Sequence, residues 1–468
     1  MDFINREREL GALERLWARA EEEAQLVVVY GRRRTGKTVL LRRFVQGKPA
    51  VFWTAEITSA ANLLRGFSQA LWRYANPDSQ PDAALTFGSW EQAFRHAGHL
   101  AGEQRLIVVI DEFPYASGAT PVLPSLLQRL WDEYLTQTHL FLVLCGSSIG
   151  MMEQQVLAYR APLYGRRTGQ LLLRPLAFAD ARLFFPSYSP VQQITAWAIL
   201  GGVPAYLRLF SDRCPVMTNV REQILDSSSF LYYEPRFLVY AELREPRTSL
   251  AILEAIATGH HRQSDIAKIT GLERGLVGRT LSTLRDLHLV ERQVPATEPY
   301  PHKSRKGRYL LSAHFLRFWF RFVWPFQDLL DVGDLAQAER AISEQLPAFV
   351  GQAFEVLCRE WIRQQGARGH LPFEPERVGA WWDRRSQVDV VALNRPERII
   401  LLGEAKWLNR PVGVDTLEKL KRQGAPAIPG DEWTVHYALF SRSGFTSGLR
   451  RRAEEERVML FTLEEIVV

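Results

Sequence analysis

The stretch Leu26-Val27-Val28-Val29-Tyr30-Gly31-Arg32-Arg33-Arg34-Thr35-Gly36-Lys37-Thr38 decides the architecture of the N-terminal part of the chain. Its first five residues are a continuous apolar run without alternation, which reads as a strand buried on both faces in a parallel sheet. The run gives way to Gly-x-x-x-x-Gly-Lys-Thr, and Val39 to Phe44 then reads as a helix. Glycines in such a loop let backbone N–H groups turn inward around phosphate oxygens, and the helix N-terminus adds its positive dipole end. Gly31, Arg32, Arg33, Arg34, Thr35, Gly36, Lys37 and Thr38 are therefore a candidate cradle for ATP, with Lys37 neutralising β/γ charge and Thr38 ligating Mg²⁺. The pattern arises by chance in long chains; the strand before it and the helix after it single out this one.

Working outward, residues 5 to 23 place Leu10, Leu13 and Trp17 on one side of an amphipathic helix. Further apolar runs at Ala50 to Thr54, Leu106 to Ile110 and Leu140 to Leu144 alternate with helical stretches, the rhythm of an αβα sandwich. The second of these ends in Asp111-Glu112. Read alone, an acidic pair there is as easily a solvated strand end. Beside the phosphate loop, Asp111 suits the Mg²⁺ shell and Glu112 suits the base or water-orienting group. Leu140 to Leu144 leads into Cys145-Gly146-Ser147-Ser148, where Ser147 reads equally as a γ-phosphate sensor or as turn chemistry. Arg166 and Arg167 are either a solvated pair or stabilisers of transition-state charge, in cis or across a subunit interface.

With 468 residues the chain exceeds one hydrophobic core. The reading divides it into an ATPase core at 1–174, a helical lid at 175–237, a winged helix-turn-helix with an aromatic connector at 238–330, and a C-terminal α/β domain at 331–468. Hydrophobic residues at 46% and charged residues at 24% exclude extensive disorder. The net charge of +6 permits a polyanionic partner without requiring one. Cys145, Cys214 and Cys358 lie far apart, without CxxC spacing, so neither a disulfide framework nor a zinc site is expected, and a reducing cytoplasm fits. A charged stretch from Asp2 to Glu9 and the lack of a long apolar run argue against export and membrane insertion.

Between Leu250 and Tyr309 three helical patterns precede two strand-like runs, Leu289 to Val294 and Arg308 to Leu311, the order of a winged helix-turn-helix. Ser264 reads as the cap of a short helix, Thr270-Gly271-Leu272 as the turn, and Arg274 to Leu287 as the recognition helix. That helix carries Arg274, Arg279 and Arg285, and the wing adds Lys303, Arg305, Lys306 and Arg308 against Glu298. This is the charge distribution that DNA phosphates require, although winged helices also brace proteins and charge runs are often solvated faces. The tract Phe315 to Phe322 reads as packing between domains rather than as a base-stacking surface.

Near the C-terminus, Val388 to Leu393 and Ile399 to Lys406 read as a hairpin around a turn at Asn394 to Arg398. Residues i and i+2 of a strand share a face, so Glu404 and Lys406 converge while Ala405 points away. With Asp389 on the adjacent strand, this resembles the D…ExK pattern of the PD-(D/E)xK nuclease superfamily, in which Asp389 and Glu404 would hold Mg²⁺ and Lys406 would orient water. The resemblance also implies a metal-supporting glutamate on the first helix, a position that Glu355 fits. A decayed version that binds DNA without cutting is the alternative.

The box Phe3-Ile4-Asn5-Arg6-Glu7-Arg8-Glu9-Leu10, the phosphate loop, Ile110-Asp111-Glu112-Phe113, Gly146-Ser147-Ser148 and Pro162-Leu163-Tyr164-Gly165-Arg166-Arg167 together resemble the archaeal-type ATPase family of the AAA+/STAND branch. That resemblance spans nearly the whole chain, since members commonly carry a winged helix and a restriction-endonuclease-like C-terminal domain. It implies that Asn5 and Arg6 lie near the nucleotide base and that the chain is an ATPase; a homo-oligomer through the N-terminal domain is a separate expectation. The favoured expectation is an ATP-gated DNA-processing protein, for which genome defence or mobile-element control would be a setting. The competing one is a STAND-like signalling or transcriptional switch. A protein remodeller ranks last, because no convincing aromatic pore loop is present.

Overall fold

A computed structural model describes residues 4–243 and 245–467, so Phe3 of the N-terminal box lies outside the described residues. Two compact units form, Met1–Leu176 with Val203–Ala205, and Ala177–Gly202 with Tyr206–Val468.

The first unit is built on five parallel strands, β1 (Gln25–Tyr30), β2 (Ala50–Thr54), β3 (Leu106–Asp111), β4 (Leu140–Gly146) and β5 (Gly169–Leu172), in the order β2-β3-β4-β1-β5. Every residue of β1, β3 and β4 is buried, as their unbroken apolar sequence requires of strands covered on both faces. Val27, Val29, Ile107, Val109, Phe141 and Val143 pack with Leu13, Trp17 and Phe44 from flanking helices. The register sets Tyr30 beside Gly146 and Ile110 beside Leu144, so the segments leaving β1, β3 and β4 emerge side by side. In open α/β sheets this carboxyl edge is where ligands bind. β4 runs past Leu144 to include Cys145 and Gly146, because both pair with β1.

In the second unit the helix Pro190–Leu200 starts with a capping box between Ser189 and Gln192. Helices Pro246–Ala257, Gln263–Thr270 and Arg274–Asp286 precede an antiparallel pair, β6 (Val290–Gln293) and β7 (Arg308–Leu311). Gly271, at φ 68°, ends the middle helix in the left-handed conformation that glycine tolerates. The capping expectation fails at Ser264: the N-cap is Arg262, two residues earlier, and the Ser264 hydroxyl donates to Asp265 instead. Phe315, Leu316, Phe318, Trp319, Phe320 and Phe322 of the helix His314–Phe322 are all buried, in accord with the packing role expected of them. Trp319 is sealed completely because its indole N–H donates to Tyr232 O at 2.7 Å.

The helix Ala336–Ala367 then leads to β8 (Arg377–Trp382), β9 (Gln387–Asn394) and β10 (Ile399–Lys406), an antiparallel meander. Helix Val414–Gly424 crosses to β11 (Thr434–Ser441) and helix Ser447–Glu456 to β12 (Met459–Thr462), both parallel additions, in the sheet order β12-β11-β10-β9-β8. Among the described residues no helix is long and apolar enough to cross a membrane.

Candidate nucleotide site and a second acidic cluster

The loop after β1 turns on two glycines with different reasons for being glycine. Gly31 has φ 150°, and a Cβ there would lie 2.4 Å from Leu173 O; Gly36 has φ 92°, with open space where a Cβ would point. The first permits close packing against the chain leaving β5, and the second lets the loop turn into the helix Lys37–Phe44. Arg34 also takes a left-handed φ of 70°. Thr35 is buried, with its hydroxyl donating to Arg32 O at 2.9 Å. Lys37 Nζ is folded into the loop, 2.9 Å from both Gly31 O and Arg32 O. Arg33 reaches Tyr115 Oη at 3.0 Å.

The ends of β3 and β4 complete the site. Thr38 Oγ1 donates to Asp111 Oδ2 at 2.8 Å, which links the phosphate loop to the acidic pair. A hydroxyl beside a carboxylate is a donor set that suits Mg²⁺, which takes one or two protein ligands and fills its shell with phosphate and water. Ser147 donates to Glu112 Oε2 through its N–H at 3.2 Å and its hydroxyl at 2.8 Å. Burial pushes the neighbouring Cys145 thiol well up, with Asp111 adding to the effect, so it stays protonated.

Arg6 and Asn5, placed near the base by resemblance, both have positive φ, 85° and 52°. Arg6 is buried and donates to Thr35 O at 3.1 Å and Arg174 O at 2.7 Å, with Glu9 at 2.8 Å. It braces the phosphate loop against the chain beyond β5. Asn5 Oδ1 accepts from Glu7 N at 3.4 Å. Arg166 binds Asp132 with two bonds, at 3.2 and 2.9 Å, and Arg167 donates to Leu157 O at 3.4 Å.

A second cluster forms in the C-terminal sheet. The pairing of β9 with β10 brings Asp389 alongside Glu404, and Ala405 N donates to Asp389 Oδ2 at 3.2 Å. Lys406 Nζ donates to Glu404 Oε1. Glu355, on the helix Ala336–Ala367, shares this field: burial, then the charge of Asp389, pushes its carboxyl up to about 8. The same two causes raise Glu404. Burial works against the Lys406 charge, but Glu404, Asp389 and Glu355 outweigh it and hold the ammonium above its ordinary value.

Two members of the cluster escaped the sequence reading. Arg359 donates to Asp389 O at 2.7 Å and lies 3.8 Å from Glu355, one helical turn away, a spacing that could have been noticed. Gln387 Nε2 lies 3.5 Å from Asp389 Oδ1, two residues along β9. Among the described residues, no three His, Cys, Asp or Glu side chains stand as a metal cage.

Arg274, Arg279 and Arg285 are exposed on the helix Arg274–Asp286, whose Val277, Leu281 and Leu284 face inward. Lys303, Arg305 and Lys306 are exposed between β6 and β7, with Lys306 paired to Glu298 at 2.6 Å. That connection is stitched to β8 through its backbone. Ala296 N donates to Ala380 O at 2.8 Å, Arg377 donates to Glu298 O at 2.7 Å, and Trp382 Nε1 donates to Lys306 O at 3.3 Å. Arg308 spends its charge here, 4.6 Å over the Trp382 ring.

Residues 3–210 match the family model of an ATPase domain predominantly from Archaea, and 319–422 match one for archaeal and bacterial proteins of unknown function. The uncharacterized protein MJECL04 of Methanocaldococcus jannaschii is 34% identical over 447 residues, 94% of this chain and 95% of the relative. An uncharacterized ATP-binding protein of the same organism, MJ0423, is 50% identical over 46 residues, 10% of this chain and 75% of that protein. Among solved structures, the Walker-type ATPase of Pyrococcus abyssi aligns with a TM-score of 0.52 and 22% identity, covering 68% of this chain and 96% of that one, a likeness of fold. With the phosphate loop, the acidic pair and the strand order in place, the chain belongs to the archaeal-type P-loop ATPase family that it shares with MJECL04.

Proposed function

We propose that this chain is an ATP-hydrolysing, DNA-processing protein in which the nucleotide state of the P-loop domain gates a winged-helix module and a Mg²⁺-dependent nuclease domain. The supporting observation is the convergence of Glu355, Asp389, Glu404 and Lys406 in the same chain as a complete nucleotide set. In this reading 1–174 is the ATPase core, 175–237 a lid, 238–330 the winged helix with its connector, and 331–468 the nuclease-like domain. ATP is held by the loop Gly31 to Thr38, Lys37 exchanges its carbonyl partners for phosphate oxygens, and Glu112 orients the attacking water. Arg274, Arg279, Arg285, Lys303, Arg305 and Lys306 meet DNA phosphates, while Asp389 and Glu404 face the scissile one. Lys406 orients water for attack, and Glu355 and Arg359 set the charge of the pair. Bound Mg²⁺ would supply positive charge to the phosphoryl oxygens. Arg166 or Arg167 stabilises the transition-state charge on the nucleotide, in cis or across the subunit interface of a homo-oligomer.

The test is a panel of DNA and RNA structures incubated with Mg²⁺ or Mn²⁺, with and without ATP. The reading expects cleavage by the wild type, none by Lys406→Ala, and loss of the ATP dependence in Lys37→Ala. Failure to cut any substrate under all these conditions removes the nuclease half.

One observation favours a second reading, a STAND-like ATP-dependent switch that binds without cutting. Burial, then the charge of Asp389, pushes the Glu355 carboxyl up, which disfavours the charged form that would support a metal. Biological activity unchanged by Glu404→Gln or Lys406→Ala would select it.

A further inference from the structure

The segment after β4 carries Pro162-Leu163-Tyr164-Gly165-Arg166-Arg167, and within the chain both arginines have local partners, Asp132 and Leu157 O. What this segment offers to solvent is aromatic. Tyr159 is 82% exposed and Tyr164 38% exposed. Their rings meet edge to face, with centroids 5.1 Å apart and planes at 63°. The Arg167 guanidinium lies 5.2 Å from the Tyr164 centroid. Arg167, Tyr164 and Tyr159 thus form a ladder whose last ring is open.

The ladder has a firm base. Leu163 is fully buried and Ala161 nearly so. Successive turns are closed by Ala161 N to Ala158 O at 2.8 Å, Tyr164 N to Ala161 O at 3.0 Å and Arg166 N to Leu163 O at 3.2 Å. Gly165, at φ 82°, reverses the chain between the two props. A ring held this way has given up rotamer freedom before any ligand arrives, so a planar group stacks on it with little further ordering.

Charge selects the ligand. From Ala158 to Thr168 the chain carries Arg160, Arg166 and Arg167 and no acidic residue, and with Arg166 paired to Asp132 the charge left to a ligand is that of Arg160 and Arg167. A planar aromatic group attached to a polyanion is a nucleotide in a strand, and the bases of a duplex, already stacked on each other, present no free face. We propose that Tyr159, propped by Tyr164 and Arg167, is a base-stacking platform for single-stranded nucleic acid on the ATPase unit, with the exposed Arg160 meeting an adjoining phosphate. This inference rests on the reading that the chain handles nucleic acid. It adds a contact apart from the helix Arg274–Asp286, to which that reading assigns the duplex.

The test is fluorescence anisotropy of the full-length protein with labelled oligo-dT, labelled oligo-rU and a labelled DNA duplex, comparing wild type, Tyr159→Ala and Tyr159→Trp. Loss of one stacked base predicts that Tyr159→Ala weakens single-strand binding roughly fivefold or more, with Tyr159→Trp near wild type and duplex affinity unchanged. The relative response of dT and rU tells which backbone the platform prefers. Single-strand affinity unaltered by Tyr159→Ala, or lowered equally by Tyr159→Trp, overturns the proposal. So does a change in sedimentation coefficient on Tyr159→Ala, which marks the ring as a contact between copies. Duplex binding by a wild type that ignores single strands removes the platform and leaves the nucleic-acid reading standing, whereas binding to neither removes both.

Discussion

Ser147, just past β4, holds the Glu112 carboxylate just past β3 with two donors, its N–H at 3.2 Å and its hydroxyl at 2.8 Å. The sequence left Ser147 between sensor and turn. This contact ties it to the acidic pair, so movement at the end of β4 is felt by the Glu112 carboxylate.

Glu112→Gln keeps the size and hydrogen-bonding capacity of the side chain but removes its charge and basicity. Removing a general base costs about 100-fold or more in turnover, so this variant is expected to bind ATP like the wild type and release phosphate at a rate lower by about that factor. Ser147→Ala leaves the backbone donor in place and shifts the rate by less. Phosphate-release kinetics beside nucleotide titration measures both, and a Glu112→Gln protein with full turnover contradicts the assignment.

Arg6 is expected to be as important to the phosphate loop as residues within it. Arg6→Ala abandons Thr35 O and Arg174 O in a buried place, at a cost of about 3 kcal/mol for charge-assisted bonds. Thermal melting should show a loss of several degrees, and ATP affinity should fall with it. Arg6→Lys, with a single ammonium in place of a fork, should not restore both. Unchanged melting and affinity in Arg6→Ala would show that the brace is dispensable.

The two loop glycines should fail differently. Gly31→Ala drives a methyl against Leu173 O and is expected to lower the melting temperature of the apoprotein. Gly36→Ala meets no neighbouring atom, so its cost comes from the positive φ, and its main effect should be on nucleotide binding. Circular dichroism melts and ATP titrations of the two variants separate these outcomes, and a reversed pattern contradicts the geometry.

His314 makes the stability of the second unit depend on pH. Its ring lies edge-on to Trp197, Nδ1 is 3.1 Å from Trp197 O, and burial pushes its value down to about 3. The unfolded chain therefore takes up a proton before the native one does. The contribution is present in full above the ordinary histidine value of 6.5 and is lost as pH falls toward about 3. His314→Phe keeps a ring without the titrating nitrogens. Melts at a series of pH values should show the wild type losing more stability than the variant between neutrality and pH 4, and parallel losses contradict the assignment.

How much was legible follows from what sequence records. Strands β1, β3 and β4 stand out because burial on both faces demands unbroken apolar runs, and the phosphate loop because its conformation demands glycine at fixed places. The Glu404/Lys406 pair follows from the two-residue period of a strand. The brace at Arg6 and the stitching of the β6–β7 connection to β8 do not follow, since both use backbone carbonyls, which every residue carries: Thr35, Arg174, Glu298, Lys306 and Ala380. The pairing of Arg166 with Asp132 joins residues distant in sequence, so the sequence alone left the arginine pair between a solvated face and stabilisers of transition-state charge, in cis or across a subunit interface. Ser264 misled because a serine in the first turn of a helix looks the same in sequence as one at its cap.

The backbone cage between β1 and its helix is expected to take up a nucleoside triphosphate. Isothermal titration of the full-length protein with ATP and Mg²⁺, beside Lys37→Ala, tests it most directly. A saturable isotherm with one ATP per chain is expected for the wild type, and loss of that isotherm in Lys37→Ala. A wild type that takes up neither ATP nor ADP, or a Lys37→Ala protein that binds equally well, would contradict it.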